Sequence, residues 1–337
     1  MNRQSYLAVA HVAGFIDWLA DELESTSLFR HQYVNRRDAS IWQCDSLFDA
    51  FDGYRWNHPG NPRLSYGTGD SPASNGLALD ALRRDLLAAR DDDERSLLAS
   101  LDVMAWGGVT ARNADWLKAN RNGLAATLQA VKAALDAGDP QSPVLRSKGL
   151  RFNSGMTKIY SLICDDFLIY DSRVAAALGW LVVKYCEAKR LTWVPAELCF
   201  PWAAAKEGLA SVTPKRRNPG RGSLQFKRLR AGHHHALWNL RASWLLSAVL
   251  AHPAAAGSRF NQVQGPVTPL RALEAACFMI GYDLNDNDAG QEYSDEFAAR
   301  ILAVKDEDFV EIDADDLIGQ LDEMIKAARA KKNGVTG

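Results

Sequence analysis

No stretch of the 337-residue chain stays apolar for the roughly 20 residues that a membrane-crossing helix needs, so a bilayer-spanning role is not expected. The N-terminal stretch carries Asp17, Asp21 and Glu22 where a secretory signal would end in small residues, and a cytoplasmic protein is the expectation. Cysteine is scarce and scattered: Cys44, Cys164, Cys186, Cys199 and Cys277 are odd in number and include no C-x-x-C pair. That pattern argues against a disulfide framework and against a structural zinc or iron–sulfur cluster, and it predicts buried reduced thiols. Also missing are the P-loop Gly-x-x-x-x-Gly-Lys, the Gly-x-Ser-x-Gly elbow and a dinucleotide fingerprint, which removes the chemistries those motifs mark. No cofactor is expected.

Net charge is also nearly absent, with 39 Lys and Arg against 41 Asp and Glu. The average hides a strong asymmetry. Nine basic side chains fall between Lys206 and Arg241 (Lys206, Lys215, Arg216, Arg217, Arg221, Lys227, Arg228, Arg230 and Arg241) against one acid, Glu207. From Asp283 to Glu323 fifteen acids face only Arg300 and Lys305. A basic segment this dense can neutralise phosphates and release counterions even in a slightly acidic molecule. A solvated charged loop is the competing reading.

What is present is overwhelmingly helical periodicity. Apolar residues recur at three- and four-residue spacing in Tyr6–Leu23, Leu77–Ala89, Arg95–Trp106, Leu124–Leu135, Val174–Ala188, Ala236–Leu250, Leu270–Ile280 and Leu317–Ala328. Asn75, Thr110 and Thr268 stand where N-caps belong, with Pro269 at a first helical position. Only Leu191–Val194 and Phe309–Ile312 look strand-like, and Asp52–Ser74 and Thr213–Gly222 read as loops. The pattern predicts a mainly α protein. A division into residues 1–75, 76–190 and 191–337 fits these features, the second part carrying the chemistry and the third completing the helical body.

The most informative stretch is Arg151–Leu178, RFNSGMTKIYSLICDDFLIYDSRVAAAL. It parses as a polar hairpin (Asn153, Ser154, Gly155), a helix from Met156 to about Cys164, a tight connector, and a second helix opening at Asp171 or Ser172. Lys158 falls in the first turn of the first helix, where the macrodipole opposes a positive charge and should lower its pKa from about 10.4. Asp171 is the expected N-cap of the next helix, its carboxylate held by free backbone amides. Nine helical residues advance about 13 Å, and a six-residue return reaches up to about 20 Å, so the chain can bring Asp171 back beside Lys158. An amine and a carboxylate across a groove suit attack on a sugar C1′. The carboxylate stabilises developing positive charge, while the amine displaces the base and forms a Schiff base. Spacing alone favours a plain helix cap and a solvated lysine.

The same residues resemble the helix-hairpin-helix DNA glycosylase superfamily, particularly its 8-oxoguanine glycosylase branch. That branch carries a Gly-x-Gly-Thr-Lys hairpin, an apolar helix, and an Asp opening the next helix. Gly155, Thr157 and Lys158 match the end of the hairpin, Ile159, Leu162 and Ile163 its helix, and Asp171 the aspartate; Asp171–Val174 is similar to the Asp-Ser-Arg-Ile run of archaeal members. The match covers about 28 of 337 residues, lacks the Leu-Pro-Gly start and first Gly, and has a Lys-to-Asp interval of 13, shorter than usual for the family. The resemblance implies a mainly α, two-lobed fold with a cleft between lobes, a flipped base in that cleft, Lys158 as nucleophile and Asp171 as its electrostatic partner. It also implies double-stranded DNA bearing a damaged or modified base as the partner. DNA contacts are then expected from Asn153, Ser154, Gly155, Thr157 and Arg173, and from Arg216, Arg217, Arg221, Lys227 and Arg228 in the basic segment.

A flipped base has lost a few kcal/mol of stacking, which aromatic or apolar sandwiching must offset. Trp106, before Gly107 and Gly108, is a candidate for that pocket, and Trp56 with His58 lies in a loop. Core packing is the ordinary role of each tryptophan. His233, His234 and His235 point in different directions on a helix and cannot together hold one ion. The calcium-like run at Asp283 has Asp288 at the sixth-position glycine and Ser294 at the twelfth-position glutamate, so no metal site is expected. Asp171 with Glu187 and Lys189 imitates a nuclease pattern, but residues two apart on a helix diverge by about 200°. The expectation is therefore a DNA glycosylase, with or without lyase activity. It would act in repair of an 8-oxoguanine-like base or in phage defence on a base such as glucosylated hydroxymethylcytosine. A non-catalytic helical DNA-binding module is the alternative.

Overall fold

The computed structural model describes residues 1–36, 39–109, 112–205 and 215–285. Among the described residues twelve α-helices dominate: α1 (Arg3–Leu7), α2 (Ala10–Glu22), α3 (Leu47–Asp52), α4 (Pro72–Ala88), α5 (Asp93–Trp106), α6 (Arg112–Ala119), α7 (Leu124–Asp136), α8 (Pro143–Arg146), α9 (Met156–Ile163), α10 (Ser172–Ala188), α11 (His233–Ala251) and α12 (Pro269–Ile280). The mainly α class follows the periodicity. Two strands, β1 (His31–Val34) and β2 (Ile41–Cys44), pair antiparallel with His31 opposite Cys44. They carry no alternating apolar run. Tyr33 fixes them instead by stacking between Trp42 and Tyr282, at 4.8 and 4.6 Å.

Several boundaries differ from the sequence pattern for local reasons. Ser71, not Asn75, caps α4, because Pro72 at the first helical position pre-sets the backbone and the Ser71 hydroxyl accepts from the Ser74 amide. Thr268 does cap α12, ahead of Pro269. The run Tyr6–Leu23 breaks into α1 and α2 where Val9 is extended. Leu191–Val194 forms no strand; the Leu191 amide instead donates to the Cys186 carbonyl beyond the end of α10. Thr110, Phe309–Ile312 and Leu317–Ala328 lie outside the described residues.

The site is positioned by helices from both halves of the chain. α12 packs on α3 and α10, α11 on α2, and both α4 and α5 on α9. Every residue of α9 is buried. At roughly 1.5–3 kcal/mol per fully buried large apolar side chain, Met156, Ile159, Leu162 and Ile163 anchor this short helix far more firmly than eight residues of helix propensity could. All five cysteines are free thiols. Among the described residues no helix is long and apolar enough to cross a membrane.

Candidate active site

The turn before α9 is built from side-chain amides. Asn153 accepts from the Met156 amide (3.0 Å) and donates to Asn113 Oδ1 (2.9 Å), which also receives Arg151 Nε (2.6 Å). Gly155 is required here, because a Cβ would overlap the Asn113 side chain. This turn delivers Lys158 into the interior, where it is 9% exposed. Gly107, just past the end of α5, lies flat against the lysine stem, and a Cβ there would overlap Lys158 Cδ and Cε. Burial holds the amine pKa below its ordinary value, opposed by the charges of Asp171 and Glu274 and assisted by Arg173 and Arg271. Desolvation is the leading cause.

Asp171 is the N-cap of α10, its Oδ1 accepting from the amides of Arg173 (2.8 Å) and Val174 (3.0 Å). The chain returns to it through Asp165–Tyr170. Arg83 of α4 ties down the end of α9, donating to the carbonyls of Leu162 (2.6 Å) and Cys164 (2.9 Å) and to Asp165 (2.8 Å). Asp166 takes a left-handed conformation at φ 47°, which aspartate tolerates better than most residues.

Lys158 and Asp171 line one cavity of about 590 Å³, open solvent at its mouth included. Tyr54, Trp56, Trp106 and Phe278 supply aromatic surface, and Asn75, Arg271 and Glu274 are its other polar members. The tryptophans are locked by one amide. Trp106 Nε1 donates to Asn75 Oδ1 (3.0 Å), Asn75 Nδ2 donates to the Trp56 carbonyl (2.9 Å), and Trp56 Nε1 donates to the Trp106 carbonyl (3.0 Å). Phe278 meets Trp56 edge-on at 5.6 Å and 88°. On α12, both carboxylate oxygens of Glu274 receive Arg271 Nη1 at 2.5 Å. Burial raises the Glu274 pKa, with Arg271 opposing. A buried amine of lowered basicity, a carboxylate and an aromatic recess can together hold a flat ring and attack an electrophilic carbon beside it.

No protein-family model matches the chain, and no curated protein or solved structure was found similar to it. The site therefore rests on its own geometry.

Of the residues singled out from sequence, Lys158, Asp171 and Trp106 come together on the cavity. The hairpin residues do not form a free DNA-facing loop. Thr157 is fully buried with its hydroxyl donated to the Ser154 carbonyl (2.9 Å), Gly155 is buried against Asn113, and Asn153 and Ser154 are half-buried within the turn. The basic segment divides in two. Arg217 is 5% exposed and donates to the Tyr282 carbonyl and Ser172 Oγ. Arg216 donates to the carbonyls of Asn218 and Gly220. Arg173 lies over Phe278 (4.1 Å) and Tyr282 (4.8 Å), beside the cavity. Arg221, Lys227 and Arg228 are exposed, Arg228 stacked on Trp202 at 4.0 Å. Lys206 lies outside the described residues. The histidines diverge: His233 to the Pro140 carbonyl, His234 to the Arg230 amide, His235 to the Tyr170 carbonyl.

Sequence reasoning passed over Arg271 and Glu274 and treated Asn75 as a cap. A signal for the first two existed. Arg271, Glu274, Ala275 and Phe278 recur at i, i+3, i+4 and i+7, placing two charges on the apolar stripe of α12.

Proposed function

We propose that the protein is a DNA glycosylase that takes an extruded nucleotide into the cavity shared by Lys158 and Asp171. The observation that carries this reading is the convergence of a buried amine and an N-cap carboxylate on one recess walled by Trp56, Trp106 and Phe278. Aromatic walls compensate an unstacked base, and a lysine buried beside them is costly to a core that has no use for it. The turn before α9 and the Asp171-capped α10 keep the order of parts in the glycosylase family that the sequence resembles.

In the proposed reaction the neutral Nζ of Lys158 attacks C1′, the N-glycosidic bond breaks, and its electron pair leaves with the base, which takes up a proton from solvent. Asp171 stabilises the cationic sugar while the bond is breaking. Loss of a proton from the attached nitrogen and opening of the sugar ring then give a Schiff base that water hydrolyses. Lowered lysine basicity favours the attacking form at neutral pH. Arg173 and the exposed Arg221, Lys227 and Arg228 are the cations offered to phosphate.

Borohydride reduction during incubation with duplexes carrying oxidised, alkylated or phage-type modified cytosine bases tests the reading. A covalent protein–DNA adduct is expected with the native chain and none with Lys158→Ala. If base is released without an adduct, Lys158 is not the nucleophile, and Asp171→Asn should still abolish release. Salt-dependent binding with no abasic product on any duplex would instead establish the non-catalytic binding module.

A further inference from the structure

The connector Leu168–Tyr170 belongs to no helix or strand, yet it sets where Asp171 lies. Its backbone is held by side chains instead. Along one face of α11, at i, i+4 and i+8, stand His235, Asn239 and Ser243. Ser243 Oγ accepts from the Leu168 amide (3.2 Å), Asn239 Nδ2 donates to the Leu168 carbonyl (2.9 Å), and His235 Nε2 donates to the Tyr170 carbonyl (2.7 Å). From α12, Glu274 accepts the Ile169 amide at 2.6 Å. All four side chains are at most 5% exposed.

Breaking one bond of a buried polar network of this kind leaves a desolvated group unpaired, which is costly. Buried amides and carbonyls need partners wherever they lie, and here those partners hold the three residues that directly precede Asp171. We infer that His235, supported by Asn239, Ser243 and Glu274, is a positioning residue that fixes the Asp171 carboxylate relative to the Lys158 amine. His235 is the member closest in sequence contact to Asp171, gripping the carbonyl of the residue before it. Burial pushes its pKa down to about 4, so the ring is neutral near pH 7 and acts through its N–H, not through charge. The inference depends on the glycosylase reading only for its kinetic test.

Because His235 is neutral, replacing it changes no charge near Lys158. The groups whose charges act on the amine are Asp171, Glu274, Arg173 and Arg271, and of these Asp171 directly follows the clamped Tyr170. The experiment is a pH titration of the Lys158 side chain by NMR in protein labelled with ¹³C-lysine, the resonance assigned by its loss in Lys158→Met. His235→Phe should lower the Lys158 pKa further, since Asp171 withdraws a stabilising charge, and His235→Gln, which restores an N–H donor, should return it towards the native value. A folded His235→Phe protein with an unaltered Lys158 titration overturns the inference. If His235→Phe does not fold, Ser243→Ala, which removes the acceptor of the Leu168 amide together with the hydroxyl's bond to the Asn239 carbonyl within α11, takes its place with the same readings.

In base release, His235→Phe should lower kcat by about 100-fold with KM little changed, the loss expected of a displaced catalytic group, and His235→Gln should recover most of it. Equal loss in kcat for Phe and Gln, or a rise in KM alone, counts against positioning. If the native protein releases no base from any duplex, the glycosylase reading fails, while the titration still decides whether His235 sets the Asp171–Lys158 relation.

Discussion

One part of the cavity wall carries four ionisable groups, Lys158, Asp171, Arg271 and Glu274, from α9, α10 and α12; the part made by Trp56, Asn75 and Trp106 carries none. The two are held differently. The uncharged side closes on itself through the Asn75 amide and two indole N–H groups, and its polar atoms find partners within it. The charged side takes ions out of water, which lowers the Lys158 pKa and raises that of Glu274. The contrast teaches that, on the proposed reading, one side serves stability and the other chemistry: a core does not need a buried lysine, and perturbed ionisable groups gather at functional sites.

Breaking the uncharged side should show first in stability. Trp106→Ala removes a 4%-exposed indole and its bond to Asn75, and unfolding should become easier by about 3–5 kcal/mol in denaturant melts. The charged side should respond in rate. Asp171→Asn retains a good N-cap, so stability should hold, while base release falls at least about 100-fold, equivalent to about 2.7 kcal/mol of barrier. Loss of fold without loss of rate in the folded fraction would erase the distinction.

Asn75→Ala sharpens it, leaving the Trp106 indole N–H and the Trp56 carbonyl without that partner at a cost of about 1–3 kcal/mol while DNA affinity changes less than with Trp106→Ala. Lys158→Met should reverse the usual sign of a core substitution. A lysine whose folded pKa is lowered binds its proton less tightly in the native state than in the unfolded chain, so it costs stability below the folded value and stability rises with pH between the two values. The variant should therefore be more stable than the native protein at pH 7, and its advantage should shrink as pH climbs towards the ordinary lysine value of about 10.4. An advantage that stays constant with pH would mean the amine is not desolvated. The smallest effect concerns the cations outside the cavity. Lys227→Ala should reduce the slope of log affinity against log salt by about 0.9, whereas Arg217→Ala, losing buried bonds to Tyr282 and Ser172, should act on folding.

The charged side was readable in the sequence to the extent that it is contiguous. Lys158 and Asp171 sit in one short segment whose start, stop and cap signals are local, and the helices fell where apolar spacing put them. Asn75 was misread because capping depends on which neighbour is pre-set, and Pro72 moved the cap four residues back to Ser71. Its real partners, Trp56 and Trp106, are 19 and 31 residues away, beyond any local pattern. Arg217 shows the same limit from the other direction. A run of cations reads as a surface, and only tertiary placement reveals that one of them is buried against α10, with its pKa pushed down to about 10.

Asn75 and Arg83 share α4, two turns apart: the first fastens both tryptophans, and the second grips the far end of the helix that carries the amine. One helix thus fastens the aromatic wall and the end of the segment that bears the lysine. On the proposed reading, a base that displaced the indoles would load the same helix that steadies α9, so substitutions at Arg83 and Asn75 should act on a shared support.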